Sequence, residues 1–204
     1  MKSIEVIDKQ LLFFRHSPVV KKGICYGQSE QVTQDNATTV ADLFIRFYKE
    51  YCTQQNHNHE TTKVLDKKTI IWSSPAPRCL EPAQLIAQTL HVPLNIDPRL
   101  YELSFGLWEN LSWDEIELQY KDEFHQWMEH WKVLPPPQGE SLTQFQQRIV
   151  EWQKELDPQC IHILIGHAGV WRAIQVHTQS KTWDDAMSMK VPYLELIPLV
   201  QDTV

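Results

Sequence analysis

Three short apolar runs in this chain each stop at a polar turn: Gln10 to Phe14 at Arg15-His16, Thr69 to Trp72 at Ser73-Ser74-Pro75, and Ile161 to Ile165 at Gly166-His167. Runs this apolar, without polar alternation, suit strands covered on both faces, as in a parallel sheet packed between helices. Between them the period changes. Val40, Leu43, Phe44, Phe47, Tyr48 and Tyr51 recur at spacings of three and four, as do Leu142, Phe145, Ile149, Trp152 and Leu156, which predicts two amphipathic helices. Ser141 followed by Gln144 is a capping pair for the second. Further strands are expected near Leu94–Ile96 and Tyr193–Ile197. Alternating strands and helices predict an α/β fold, a three-layer α/β/α sandwich with a mostly parallel central sheet, residues 1–204 forming one domain without a linker.

Composition narrows the function classes. A content of 42% hydrophobic and 22% charged residues is an ordinary globular balance and excludes disorder. No apolar run approaches the roughly 20 residues that span a bilayer. The stretch through Lys9 alternates charged and apolar residues where a signal peptide needs an uninterrupted apolar region, so a cytoplasmic protein away from membranes is expected. Cys25, Cys52, Cys79 and Cys160 lie far apart with no CxxC pair, which points away from a disulfide framework or a zinc ribbon. The net charge of −7 repels nucleic acid, so any phosphate partner needs a local cationic pocket. The 8 tryptophans lack the spacing of a repeat and are read as core and cleft wall.

Ser112 to Trp131 reads as a helical excursion, part of a segment at about 108–135, with Trp113, Ile116, Tyr120, Phe124, Trp127 and Trp131 at spacings of three or four. Pro135-Pro136-Pro137 ends it, because proline cannot continue a helix. Such a segment either covers a site at the sheet edge or is simply a packed helix. His57-Asn58-His59 falls in a tract of Gln, Asn, His and Thr and is expected to be a solvated loop.

In open α/β sheets the ligand crevice lies beyond the carboxyl ends of the strands. The expected strands deliver Arg15-His16, Ser74 with nearby Arg78, and His167 to that edge. Two arginines and two histidines there make a cationic basket suited to a phosphoryl dianion, since guanidinium forks match phosphate oxygens with paired, charge-assisted hydrogen bonds.

At these residues the sequence resembles the histidine phosphatase superfamily, with its phosphoglycerate mutase-like fold. Leu12-Phe13-Phe14-Arg15-His16 is similar to that family's signature strand, and Ser74-Pro75-Ala76-Pro77-Arg78 to its second arginine motif. Leu100-Tyr101-Glu102-Leu103-Ser104-Phe105-Gly106 resembles its acid-bearing loop, and Ile165-Gly166-His167-Ala168-Gly169 completes the set in family order. The resemblance implies a nucleophilic His16 that forms a phosphohistidine, Arg15, Arg78 and His167 holding the phosphoryl oxygens, and Glu102 as general acid and then base. It implies no metal and no cofactor, and a small-molecule phosphate monoester as partner. Glu102 in that role is expected to have its pKa raised by burial or by a carboxylate such as Glu109, while Glu109 and Glu140 are rival acids. Arg99 and Arg172 are read as solvated or salt-bridged.

The family usually places glycine after the nucleophile, whereas here Ser17 and Pro18 follow His16. The turn therefore lacks glycine's access to positive φ, and the Ser17 hydroxyl is a candidate donor to a phosphate oxygen. Lys22, in the same loop, is either added positive charge for the pocket or a solvated lysine.

Gly23-Ile24-Cys25-Tyr26-Gly27-Gln28-Ser29-Glu30 resembles a stretch of the α-ribazole phosphatase branch, and Pro135-Pro136-Pro137-Gln138-Gly139-Glu140-Ser141-Leu142 its P-P-x-G-E-S turn. Gln31-Val32-Thr33 replaces that branch's apolar continuation. The likeness implies hydrolysis of α-ribazole 5′-phosphate, or the corresponding cobalamin phosphate, in cobalamin nucleotide-loop assembly. A broad-specificity or fructose-2,6-bisphosphatase-like phosphatase is the main alternative, ahead of a phosphoglycerate mutase or an inactive phosphate-binding module. Tyr26 and Trp108 are candidates to stack on a flat base.

Overall fold

Leu11 and Phe13 leave one side of the first strand and Leu12 and Phe14 the other, and this alternation divides the core in two. The computed structural model describes residues 10–57 and 68–199. Its strands β1 (Gln10–Arg15), β2 (Thr69–Ser73), β3 (Leu94–Ile96), β4 (Ile161–Gly166) and β5 (Leu196–Pro198) form one sheet in the order β3-β2-β4-β1-β5. Every pairing is parallel except β1 with β5. The helices are α1 (Ala37–His57), α2 (Pro77–Leu90), α3 (Trp113–Gln119), α4 (Lys121–His130), α5 (Leu142–Lys154), α6 (Ala168–Thr178) and α7 (Trp183–Ser188).

On one face, Val40 and Phe44 of α1 with Cys79, Ala83 and Ile86 of α2 pack against Leu12, Phe14, Ile71, Ile163 and Ile165. On the other, Phe145, Ile149 and Trp152 of α5 with Trp171 and Ile174 of α6 pack against Leu11, Phe13 and Leu164. β4, in the middle of the sheet, is buried along its whole length. This is the mostly parallel three-layer arrangement expected from the strand runs.

Local signals set several boundaries. Pro77 occupies the first turn of α2, where its missing N–H costs nothing and its φ is already helical. The Ser141–Gln144 capping box opens α5, with the Ser141 hydroxyl accepting from Gln144 N–H and the Gln144 side chain accepting from Ser141 N–H. Leu156, expected on that helix, lies just past its end and is still buried in the core.

Two elements differ from expectation. The excursion breaks at Tyr120 (φ −129°, ψ 42°) into α3 and α4. Ile116 on one side of the break and Phe124 and Trp127 on the other close around a fully buried Trp108. The last strand is Leu196–Pro198, shorter and later than expected: Leu194 takes a left-handed φ of 57°, so Tyr193 and Leu194 form a turn that carries Tyr193 toward the sheet edge. Of the expected His57-Asn58-His59 loop, His57 closes α1, and Asn58 and His59 lie outside the described residues. No helix among the described residues is long and apolar enough to cross a membrane.

Candidate active site

The register of the three central strands brings the motifs to one edge. Arg15 sits opposite Gly166 and Ser73 opposite Ile165, and the ladder runs one residue further through His16 N–H to Gly166 (3.2 Å) and Ser74 N–H to Ile165 (3.3 Å). The next residues, on the loop after β1, at the entrance to α2 and at the start of α6, therefore share one rim.

His16 and His167 face each other with ring centroids 5.2 Å apart, and both are buried. His16 Nδ1 lies 2.7 Å from the Ser17 carbonyl oxygen, which can only accept, so Nδ1 carries the proton and the lone pair is on Nε2. Burial, then the Arg78 and Arg15 charges, lower its pKa to about 3. The ring is therefore neutral at neutral pH. His167 shares a 2.8 Å hydrogen bond with the Ser74 hydroxyl through Nε2, and its pKa is likewise well below the ordinary range because of burial and then Arg78.

The guanidinium groups are held by backbone. Arg78, almost fully buried on α2, donates to the carbonyls of Ser29 (2.8 Å) and Gly27 (2.7 Å), while Arg15 donates to that of Val191 (2.7 Å). On each, Nε is buried with no hydrogen-bond partner among the described residues. A buried, unpaired charged donor is costly, and two beside one neutral histidine form a site an oxyanion would complete.

Glu102 and Arg15 line one cavity. The Glu102 carboxylate accepts from Leu103 N–H and, across the cleft, from Gly169 N–H, each at 3.1 Å. A Cβ on Gly169 would collide with Glu102 Oε1, so glycine is what permits this approach. The rival acids are spent elsewhere. Glu140 accepts from Ser104 N–H (2.9 Å) and pairs with Arg148 (2.6 Å). Glu109 accepts from Gln28 N–H and Phe105 N–H. Arg148, which the sequence reading passed over, also donates to the carbonyls of Arg99, Tyr101 (2.7 Å) and Glu102 (3.0 Å), so one α5 side chain shapes the acid loop.

From Arg15 and Glu102 the site opens into a cavity of about 530 Å³ walled mainly by apolar and aromatic side chains, including Trp113, Trp127, Trp131, Trp183, Phe105 and Phe145. The tryptophans thus divide between core, as Trp108, Trp152 and Trp171, and cleft wall.

Several expected residues are placed otherwise. The Ser17 hydroxyl donates to Asp35 Oδ2 at 2.6 Å and accepts from Asp35 N–H, so its proton is committed away from a phosphate. Lys22 is exposed and does not line the cavity. Trp108 is fully buried and cannot stack on a ligand, whereas Tyr26 does line the cavity. Arg99 is salt-bridged to Asp97 and Glu155, as expected, whereas Arg172 is half-buried and has no salt bridge among the described residues. It lines the cavity and donates to the carbonyls of Ala186 (3.0 Å) and Met189 (3.2 Å), contacts between α6 and the α7 end that local sequence does not reveal.

The family model of the histidine phosphatase superfamily (branch 1) matches residues 54–202, which include Arg78, Glu102 and His167 and leave Arg15-His16 to the strand geometry above. The chain is 32% identical over 111 residues to the "Putative phosphoserine phosphatase 2" of Hydrogenobacter thermophilus, covering 53% of this chain and 54% of that protein. It is 29% identical over 100 residues to the adenosylcobalamin/alpha-ribazole phosphatase of Salmonella typhimurium, covering 48% and 50%. The matches thus span about half the length of these curated relatives. In fold it resembles the crystal structure of the alpha-ribazole phosphatase from Shigella flexneri, with a TM-score of 0.73, 18% identity, and coverage of 93% of this chain and 89% of that one. With a family match over most of its length, this chain belongs to the histidine phosphatase superfamily.

Proposed function

We propose that the protein is a phosphomonoesterase working through a phosphohistidine on His16, with α-ribazole 5′-phosphate or the corresponding cobalamin phosphate as substrate in cobalamin nucleotide-loop assembly. The observation that carries this reading is a buried two-arginine, two-histidine basket whose Arg15 lines, together with Glu102, an aromatic chamber. The basket suits a phosphoryl dianion and the chamber a flat, largely uncharged alcohol.

The chemistry follows from the geometry. His16 Nε2 attacks phosphorus, and the bond to the ester oxygen breaks as Glu102 delivers a proton to it. The Nδ1–H bond to Ser17 persists and steadies the charged phosphorylated ring. Arg15, Arg78 and His167 hold the phosphoryl oxygens as their charge redistributes, the main source of catalysis in such transfers. Glu102 then takes a proton from water as its oxygen attacks phosphorus, and the P–N bond breaks to return neutral His16 and inorganic phosphate.

A fructose-2,6-bisphosphatase-like reading draws on the 25% identity over 151 residues to the 6-phosphofructo-2-kinase/fructose-2,6-bisphosphatase of Aquarana catesbeiana. A bisphosphate calls for a second cation cluster, and Arg15 and Arg172 are the cations in the chamber lining among the described residues. That favours an uncharged leaving group.

The test is steady-state hydrolysis of α-ribazole 5′-phosphate beside sugar, nucleoside and serine monophosphates, with chelator present. A preference of about a hundredfold in kcat/KM, roughly 2.7 kcal/mol, supports the assignment. Flat, weak rates leave a general phosphatase, no turnover leaves a phosphate-binding module, and activity lost to chelator and restored only by a divalent ion refutes the mechanism.

A further inference from the structure

Arg15 is enclosed by a segment with no part in the chemistry just described. The turn from Val191 to Leu194 touches it at three points. The Val191 carbonyl accepts from Nη1 at 2.7 Å, Leu194 N–H donates to the Arg15 carbonyl at 3.1 Å, and the Tyr193 ring lies against the guanidinium with Cζ 3.5 Å from its centroid. The Tyr193 ring also meets that of His16 edge to face at 5.7 Å. Leu194 holds a left-handed φ of 57°, a conformation a non-glycine residue keeps only when its surroundings fix it.

A second tyrosine repeats the arrangement. The Tyr26 ring stands 5.3 Å from Arg78 Cζ, on the loop whose Gly27 and Ser29 carbonyls accept from that guanidinium. The two phenol oxygens, 167 residues apart in sequence, are 3.5 Å apart. Each basket arginine is thus backed by a tyrosine, and the tyrosines touch.

We infer that Tyr193 is a positioning residue of the phosphate site: with the Val191–Leu194 turn it clasps Arg15, covering one face and one edge of the guanidinium and leaving Nε–H for the phosphoryl group. The inference rests on the phosphate-site reading above. Most of the effect lies in ring stacking. Guanidinium against a tyrosine face is a directional attraction strengthened by desolvation, whereas hydroxyls 3.5 Å apart are at the limit of a hydrogen bond.

The experiment compares wild-type protein with Tyr193→Phe and Tyr193→Leu, measuring orthovanadate affinity by calorimetry and kcat and KM for an aryl phosphate. Tyr193→Leu is expected to weaken vanadate binding and lower kcat/KM by about 10- to 100-fold. Tyr193→Phe, which keeps the ring, is expected to restore both to within about threefold of wild type. Tyr193→Met, bulky but without a ring, carries the same expectation as leucine if the leucine variant does not fold. A folded Tyr193→Leu or Tyr193→Met that binds vanadate like wild type overturns the clasp, and so does a Tyr193→Phe as impaired as the leucine variant. Wild-type protein that neither binds vanadate nor turns over the aryl phosphate overturns the site reading and the clasp with it.

Discussion

Nδ1 of His16 points at the carbonyl oxygen of its own successor, Ser17, 2.7 Å away, and so the nitrogen available to a substrate is Nε2. Burial and the neighbouring arginines hold the ring neutral, with a pKa of about 3 against 6.5 when unfolded. Between those values the unfolded chain binds a proton that the folded chain refuses. Stability is therefore expected to fall as pH drops from about 6.5 toward 3, by at most about 1.4 kcal/mol per pH unit from this residue, with His167 acting in the same direction. Above pH 6.5 the His16 contribution is flat. Urea unfolding across this range, with His16→Asn flattening part of the slope, checks the sign; a ring nitrogen signal from His16 that titrates near neutrality contradicts it.

Glu102→Gln is expected to lower turnover of alkyl phosphates by about 10²- to 10⁴-fold while sparing aryl phosphates, whose leaving groups need little protonation. Gly169→Ala places a methyl group against Glu102 Oε1 and removes room for the 3.1 Å bond from its own N–H, so it is expected to imitate that selectivity with vanadate affinity intact. A plot of rate against leaving-group pKa for both variants tests this, and parallel losses on every ester count against an acid role.

Arg148→Met is expected to destabilise the protein by roughly 2–4 kcal/mol, since Glu140 would be left largely desolvated without its partner. The freed carbonyls of Arg99, Tyr101 and Glu102 would let the acid loop shift, and kcat should fall more than KM rises. Denaturant unfolding and steady-state kinetics on the same variant measure the two effects, and unaltered kcat would detach Arg148 from the acid loop.

Ser17→Ala removes a buried hydroxyl bonded to Asp35 and is expected to cost about 1–3 kcal/mol of stability. Vanadate affinity should stay within about threefold of wild type, because that hydroxyl does not serve the phosphate. A tenfold or greater loss of affinity in a stable variant would return Ser17 to the pocket.

Much of this site was legible because its signals are local. The β1, β2 and β4 runs each mark a strand by their own burial, and the residue following each run must emerge at the same sheet edge if the strands are parallel. That placed Arg15, His16, Ser74 and His167 together before any contact was known. The Ser141–Gln144 cap is local too, being an interaction within one helical turn.

What stayed hidden depends on pairs far apart in the chain. Glu102 is singled out from Glu109 and Glu140 by Gly169, 67 positions away, and by the partners that occupy its rivals. Ser17 turned from substrate to Asp35, and Tyr193 left its expected strand to cover Arg15. The break at Tyr120, in the cluster around Trp108, does not show in the helical period.

The two histidines of the flanking strands mark the boundary. His16 follows one apolar run and His162 lies within another. In the fold, His162 accepts from Trp72 Nε1 at 3.0 Å and gives its Nε2 proton to the Asp157 carbonyl at 2.9 Å, so both nitrogens are spent on structure. His16 spends only Nδ1. The sequence alone determined the strands, their common edge and the residue types delivered there, because hydrophobic period and chain direction are local properties. Which nitrogen of His16 is left free, which glutamate meets Gly169 and which tyrosine covers Arg15 was decided only by tertiary structure, because a side chain's protonation and orientation are set by whatever the fold packs against it.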